Sequence, residues 1–162
     1  MIRLIDAQLL DDVSHEAAAS PRGRKNRNFH AIDDHPAHRL LNAIEPGSYI
    51  RPHRHLDPNK DETMVVLRGR LGLVEFDDAG NILHTAVLTA GSPACGVDIG
   101  YGSWHTVFAL EPRTVFLEAK AGPYRPLTAD EQAPWAPAEG SPEAAAYLDA
   151  LAGAVRRAPS QT

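Results

Sequence analysis

A single cysteine, Cys95, stands in 162 residues, which excludes an intrachain disulfide and a cysteine-built zinc site and leads us to expect a reducing compartment. No run approaches the roughly 18 consecutive apolar residues of a membrane span. The first ten residues carry Arg3 and Asp6 and have no continuous apolar stretch, so no secretory leader is read and a cytoplasmic protein is expected. Positive charge is also in short supply: 16 Lys and Arg stand against 21 Asp and Glu, a formal net charge of −5. Nothing in that field draws the chain to a nucleic acid or an anionic membrane, so the expected partner is a small molecule.

What is present is an ordinary globular composition, 43% hydrophobic and 23% charged, in a length that suits one core. One domain over residues 1–162 is expected. Residues 6–19 read as a helix capped by Asp6, with Leu9, Leu10, Val13 and Ala17 as its apolar stripe against the outside of a sheet. Residues 22–28 are basic and aperiodic and read as a loop or irregular edge, closing an N-terminal part over 1–38.

Residues 39–121 break into short β-rich runs ended by turn residues, which is an all-β barrel or sandwich signature. The expected strands are 39–44, 49–55, 63–67, 71–76, 82–88, 97–99, 105–110 and 114–120, enough for a jelly roll. A Pro/Ala-rich tail follows from 122, extended over the surface with Tyr124 and Trp135 as anchors. Ser141-Pro142-Glu143 then opens a last helix, Ser141 as its cap, running to about 154, with residues 156–162 frayed.

His53-Arg54-His55 carries the strongest chemical signal. Side chains repeat every two residues on a strand, so both imidazoles leave the same face. Glu62 enters the following strand, where a hairpin would bring its carboxylate beside them, and its neighbour Asp61 is the rival because alternation turns only one of the two inward. His105 opens a later strand. Three nitrogens and one oxygen suit one divalent ion of the Zn, Fe, Mn, Ni or Co type.

Gly47, His53-x-His55, Glu62 and Gly69 resemble the first motif of the cupins, with a longer gap before Glu62 than is usual. Gly100-Tyr101-Gly102-Ser103-Trp104-His105 resembles the second, with glycine in place of proline and Ala109 where asparagine often stands. Arg24 to His30, Arg39-Leu40-Leu41-Asn42-Ala43, Arg51 to His55 and Ala133-Pro134-Trp135-Ala136-Pro137 further resemble the WbuC family of cupin-fold metalloproteins, over nearly the whole chain. The resemblance implies a cupin double-stranded β-helix, a jelly-roll barrel with short N- and C-terminal helices. It also implies a role near bacterial surface-polysaccharide metabolism, with no settled reaction, and a homodimer.

Tyr49 and Arg51 share strand parity with the histidines, which makes Tyr49 a candidate proton donor. Arg51 either clamps a ligand carboxylate or phosphate or pairs with Glu118. Arg24, Lys25, Asn26, Asn28, His30, Asn42 and Glu118 are candidate ligand contacts, the basic stretch being otherwise a solvated loop. His35 and His38 read as loop histidines, because Pro36 opposes the helix that would pair them. Two functions follow: a metal-dependent isomerase, epimerase or oxygenase acting on a small acidic or sugar-derived molecule, or a non-catalytic metal-dependent binding module. A purely structural metal is a third.

Overall fold

Residues 62–66 are buried at Glu62, Met64 and Val66 and exposed at Thr63 and Val65, the period of a strand with one face on a core. The computed structural model describes residues 2–158 and contains eight strands among them. They are β1 (Arg24–Asn28), β2 (Ala37–Ile44), β3 (Glu62–Arg68), β4 (Arg70–Phe76), β5 (Ile82–Thr89), β6 (Gly96–Ile99), β7 (Trp104–Ala109) and β8 (Thr114–Ala121). They pair antiparallel in two sheets, one in the order β1-β2-β8-β3-β6 and the other β5-β4-β7. This is the all-β jelly-roll architecture expected.

Ile44, Met64, Val66, Ile99 and Phe116 of the larger sheet pack with Leu71, Leu88, Val107 and Ala109 of the smaller in the core between them. Two helices cover the outer faces. α1 (Ala7–Ala19) starts at Asp6, whose side chain accepts from the amide of Leu9, and lays Val13 and Ala17 on Leu41, Ala43 and Val115. α2 (Ala144–Arg157) sets Leu148, Leu151 and Val155 against Val74, Phe76 and Phe108 on the back of the smaller sheet. All six residues of β7 are buried because it is covered on both sides. Gly69, at φ +76 between β3 and β4, lies against Thr114, whose Oγ1 would meet an added Cβ at 2.5 Å.

Several expectations change. Residues 49–55 form no strand: the segment is extended and joins its neighbours through isolated bridges from His53 to His105 and to Gln132. Pro52 has no amide to give a ladder, and its carbonyl accepts instead from the amide of Ala133 at 2.9 Å. The basic segment supplies an edge strand, β1, since backbone pairing to β2 needs no apolar side chain. The last helix begins at Ala144 with Glu143 as its cap residue, and Ser141 precedes it in a turn. It runs on through Arg156 and Arg157, and the remainder of the fraying expected over 156–162 falls beyond Ala158, outside the described residues. Tyr124 is 54% exposed and holds the tail through its amide, which donates to the carbonyl of Asp33 at 2.8 Å, rather than through its ring, whereas Trp135 packs on Phe76 at 4.8 Å between ring centres. His38 is a buried residue of β2 rather than a loop histidine, stacked on His30 at 3.9 Å. Among the described residues no helix is long and apolar enough to cross a membrane.

Candidate metal centre

His53 and His55 sit on an extended segment held from both sides. His53 exchanges both backbone hydrogen bonds with His105 on β7, at 3.0 and 2.9 Å, and the amide of Arg54 donates to the carbonyl of Glu131 in the tail. Glu62 opens β3 with its side chain on the inner face. Asp61 points outward and accepts from the amide of Tyr101, so Glu62 is the carboxylate that meets the histidines. One donor atom from each of His53, His55 and Glu62 falls within 4.8 Å of the other two. His105 is outside that trio but meets Glu62 directly, its Nε2 lying 3.1 Å from Oε2.

The Nδ1 atoms of His53 and His105 lie 3.1 and 3.0 Å from the carbonyls of Arg51 and Ser103. A carbonyl only accepts, so both Nδ1 atoms carry a proton, and in the neutral ring each Nε2 then presents a lone pair. Backbone carbonyls commonly fix metal-binding histidines in this way. Nε2 of His105 and Oε2 of Glu62 are buried, face each other at 3.1 Å, and have no hydrogen-bond partner. Two buried acceptors so placed are costly unless a cation or proton lies between them, so this donor set fits a divalent ion.

Burial, reinforced by the neighbouring His105, lowers the pKa of His53 and keeps its imidazole in the neutral form that binds metals. Burial alone would raise the Glu62 carboxyl, but His105 and His55 on one side and the Lys120 ammonium on the other outweigh it and hold it low. Lys120 is the functional residue that the sequence reading missed. Its Nζ lies 2.7 Å from Oε1 of Glu62 and 2.5 Å from Oε1 of Glu118, and Oε2 of Glu118 accepts from Asn42 at 2.6 Å. Desolvation works against the Lys120 charge, and the two carboxylates overcome it and raise its pKa. Phe116, Glu118 and Lys120 share parity on β8, and the register of β3 with β8 makes Lys120 the cross-strand partner of Glu62.

Tyr49 and Arg51 are not turned toward the histidines. The Tyr49 hydroxyl donates to the carbonyl of Pro137, its ring packs edge-on against Tyr147 of α2, and burial raises its pKa. The Arg51 guanidinium donates to the carbonyl of Ala133 at 3.1 and 2.6 Å, while Glu118 takes Lys120 and Asn42. Of the two roles expected of Arg51, the pairing with Glu118 is not formed, and the guanidinium clamps the tail instead. Arg24, Lys25, Asn26 and Asn42 line one cavity of about 400 Å³. Asn28 accepts from Asn26, and His30 is buried on His38, away from that cavity wall.

A family profile described as "Domain of unknown function (DUF6016)" matches residues 5–88, just over half of the chain. Curated proteins gave no significant match. Among solved structures, KdgF from Halomonas sp. superposes with a TM-score of 0.50 at 18% identity, over 65% of this chain and 84% of that one. The conserved SPY1581 protein of unknown function from Streptococcus pyogenes gives 0.52 at 12% identity, over 77% of this chain and 91% of that one. A cupin-2 domain containing protein from Shewanella frigidimarina gives 0.45 at 21% identity, over 60% and 80%. For the first two, at these identities, the likeness is one of fold.

Proposed function

The chain belongs to the family described as a domain of unknown function (DUF6016), and from that premise we propose that it is a cupin-fold, metal-dependent protein acting on a small acidic or sugar-derived molecule. The observation that carries this reading is the convergence of His53, His55 and Glu62, with the unpaired Oε2 of Glu62 facing the unpaired Nε2 of His105. His53, His55, Glu62 and His105 are the proposed ligands. The ion, when bound, supplies a Lewis acid, or an oxygen-activating centre if it is iron.

The chain's own groups do the rest. Lys120 holds one oxygen of Glu62 and leaves the other toward His105. Glu118 stands next to Lys120 as a buried carboxylate, its Oε1 2.5 Å from the ammonium and its Oε2 accepting from Asn42. A titratable group so close to the ligand set favours turnover, by isomerisation, epimerisation or oxygenation, over passive binding, because acid–base chemistry needs one and binding does not. The resemblance to the WbuC family supports a place in bacterial surface-polysaccharide metabolism, the single cysteine supports a reducing, cytoplasmic setting, and the likeness to cupins supports a homodimer.

The test is metal content by mass spectrometry on protein purified without a metal-binding tag, for the wild type, His53→Ala and Glu62→Ala. Near-stoichiometric metal that both variants lose supports the reading. Folded wild-type protein that stays metal-free after reconstitution with zinc, iron, manganese, nickel and cobalt overturns it.

A further inference from the structure

The cavity of about 400 Å³ beside β1 is a place of positive charge in a protein whose formal net charge is −5. Arg22, Arg24 and Lys25 line it. Against these three cations stands Glu139 of the tail, one of whose oxygens accepts from Arg22 at 3.0 Å and from Arg24 at 2.5 Å. That carboxylate already shows which chemistry the two guanidinium groups select. It is 41% exposed, so water competes for it and an incoming anion can replace it. The other walls are of two kinds: the amides of Asn26 and Asn42, and the apolar Ile50 and Phe116. A cation cluster, neutral hydrogen-bonding groups and an apolar floor in a space of this size suit a small organic molecule rather than a bare ion.

We infer that this cavity binds the oxyanion of a small organic acid, a sugar acid or sugar phosphate, with Glu139 as the resident counter-charge that the ligand's carboxylate or phosphoryl group replaces. Asn42 ties the cavity to the metal centre. It donates to Glu118, Glu118 meets Lys120, and Lys120 meets Glu62. The row crosses from β2 through β8 to β3, two strand spacings or about 10 Å. The substrate class of the proposed function is thereby narrowed to anionic sugars. Only this link to Glu62 rests on the metal reading, and the cavity's own binding does not.

The experiment uses isotope-labelled, metal-free protein titrated separately with sodium glucuronate, glucose 1-phosphate and inorganic phosphate at matched ionic strength, with sodium chloride as the control. Saturable shifts of the Asn26 and Asn42 side-chain amides and of the backbone amides of residues 24–26 are expected with glucuronate or glucose 1-phosphate, and their relative affinities separate carboxylate from phosphoryl recognition. Lys25→Gln, at an exposed position, keeps the fold and weakens the binding at least fivefold. Arg24→Gln abolishes it, although that variant also frees Glu139. Shifts no larger than those from chloride overturn the inference, and so does unchanged affinity in Lys25→Gln. Inorganic phosphate binding as tightly as glucuronate or glucose 1-phosphate also overturns it, since the apolar wall would then contribute nothing. Because the protein is metal-free throughout, a failed metal assay leaves this result intact.

Discussion

Lys120 Nζ lies 2.7 Å from Oε1 of Glu62, and the carboxylate's other oxygen faces Nε2 of His105 at 3.1 Å. The lysine therefore supplies the one fixed positive charge in contact with a carboxylate that is 2% exposed. Removing one partner of a buried pair leaves the other charge unpaired, at a cost of about 3 kcal/mol. Lys120→Met is expected to lower the melting temperature of the metal-free protein accordingly. A divalent ion restores the missing charge, so added zinc should raise the melting temperature more in Lys120→Met than in the wild type. An equal rise in both would show that Glu62 is not what the ion binds.

His38 gives the fold an acid sensitivity of its own. It is 4% exposed, stacked on His30 at 3.9 Å, with Nε2 3.0 Å from the carbonyl of Asp33. Burial, with the charges of His30, Lys120 and Lys60 adding to it, lowers its pKa against the opposing effect of that carbonyl. The unfolded chain thus takes up a proton near pH 6.5 that the folded one refuses. Stability is fully present above that value and declines as the pH falls toward the lowered folded pKa. Urea midpoints of the metal-free protein should drop between pH 7.5 and 5, and His38→Gln should flatten the drop. His53, also lowered, contributes with the same sign and leaves a residual slope. A slope unchanged by His38→Gln would assign the whole effect elsewhere.

Strands were legible where one face meets the core, because burial imposes alternation: Met64 and Val66 on β3 or Leu71 on β4 could sit only one way. Tyr49, Arg51, His53 and His55 alternate just as convincingly without forming a strand. Their partners are Gln132, Ala133 and Pro137, some 80 residues on, and no local pattern carries a pairing of that range. His53 and His55 were legible as a pair from their two-residue spacing, whereas the approach of His105 depends on its bridge to His53. Lys120 was not legible, because a lysine on a strand usually reads as solvated, and only the register with Glu62 shows what it faces.

That long-range pairing is itself open to test. The Arg51 guanidinium donates twice to the carbonyl of Ala133, and the amide of Ala133 donates to the carbonyl of Pro52, so the tail and the histidine segment brace each other. Arg51→Ala should leave the β-sheet core folded while the amides of Arg54 and Ala133 exchange with solvent at least tenfold faster. Metal affinity should fall by about one order of magnitude, the scale on which loss of an orienting contact is felt at a metal site. Full affinity with fast exchange would mean that β7 alone holds His53 in place.

Gly80 offers the opposite case, a packing lesion beside the centre that spares its ligands. At φ +88 it favours glycine, and an added Cβ would lie 2.6 Å from Cδ2 of Trp135. Trp135 is packed edge-on to Trp104 at 6.2 Å, and Trp104 donates its indole N–H to Asp78 and carries the Arg54 guanidinium over its face at 4.3 Å. Gly80→Ala should therefore destabilise the protein by about 1 to 3 kcal/mol through overpacking and the left-handed backbone. Both tryptophans of the chain lie in this cluster, so the intrinsic fluorescence reports it directly, with a red shift expected as Trp135 loosens. Metal affinity should stay within about twofold of the wild type, because the backbone bridge between His53 and His105 does not pass through Trp135. A large loss of metal in Gly80→Ala would instead make the tryptophan wall part of what orients the histidines.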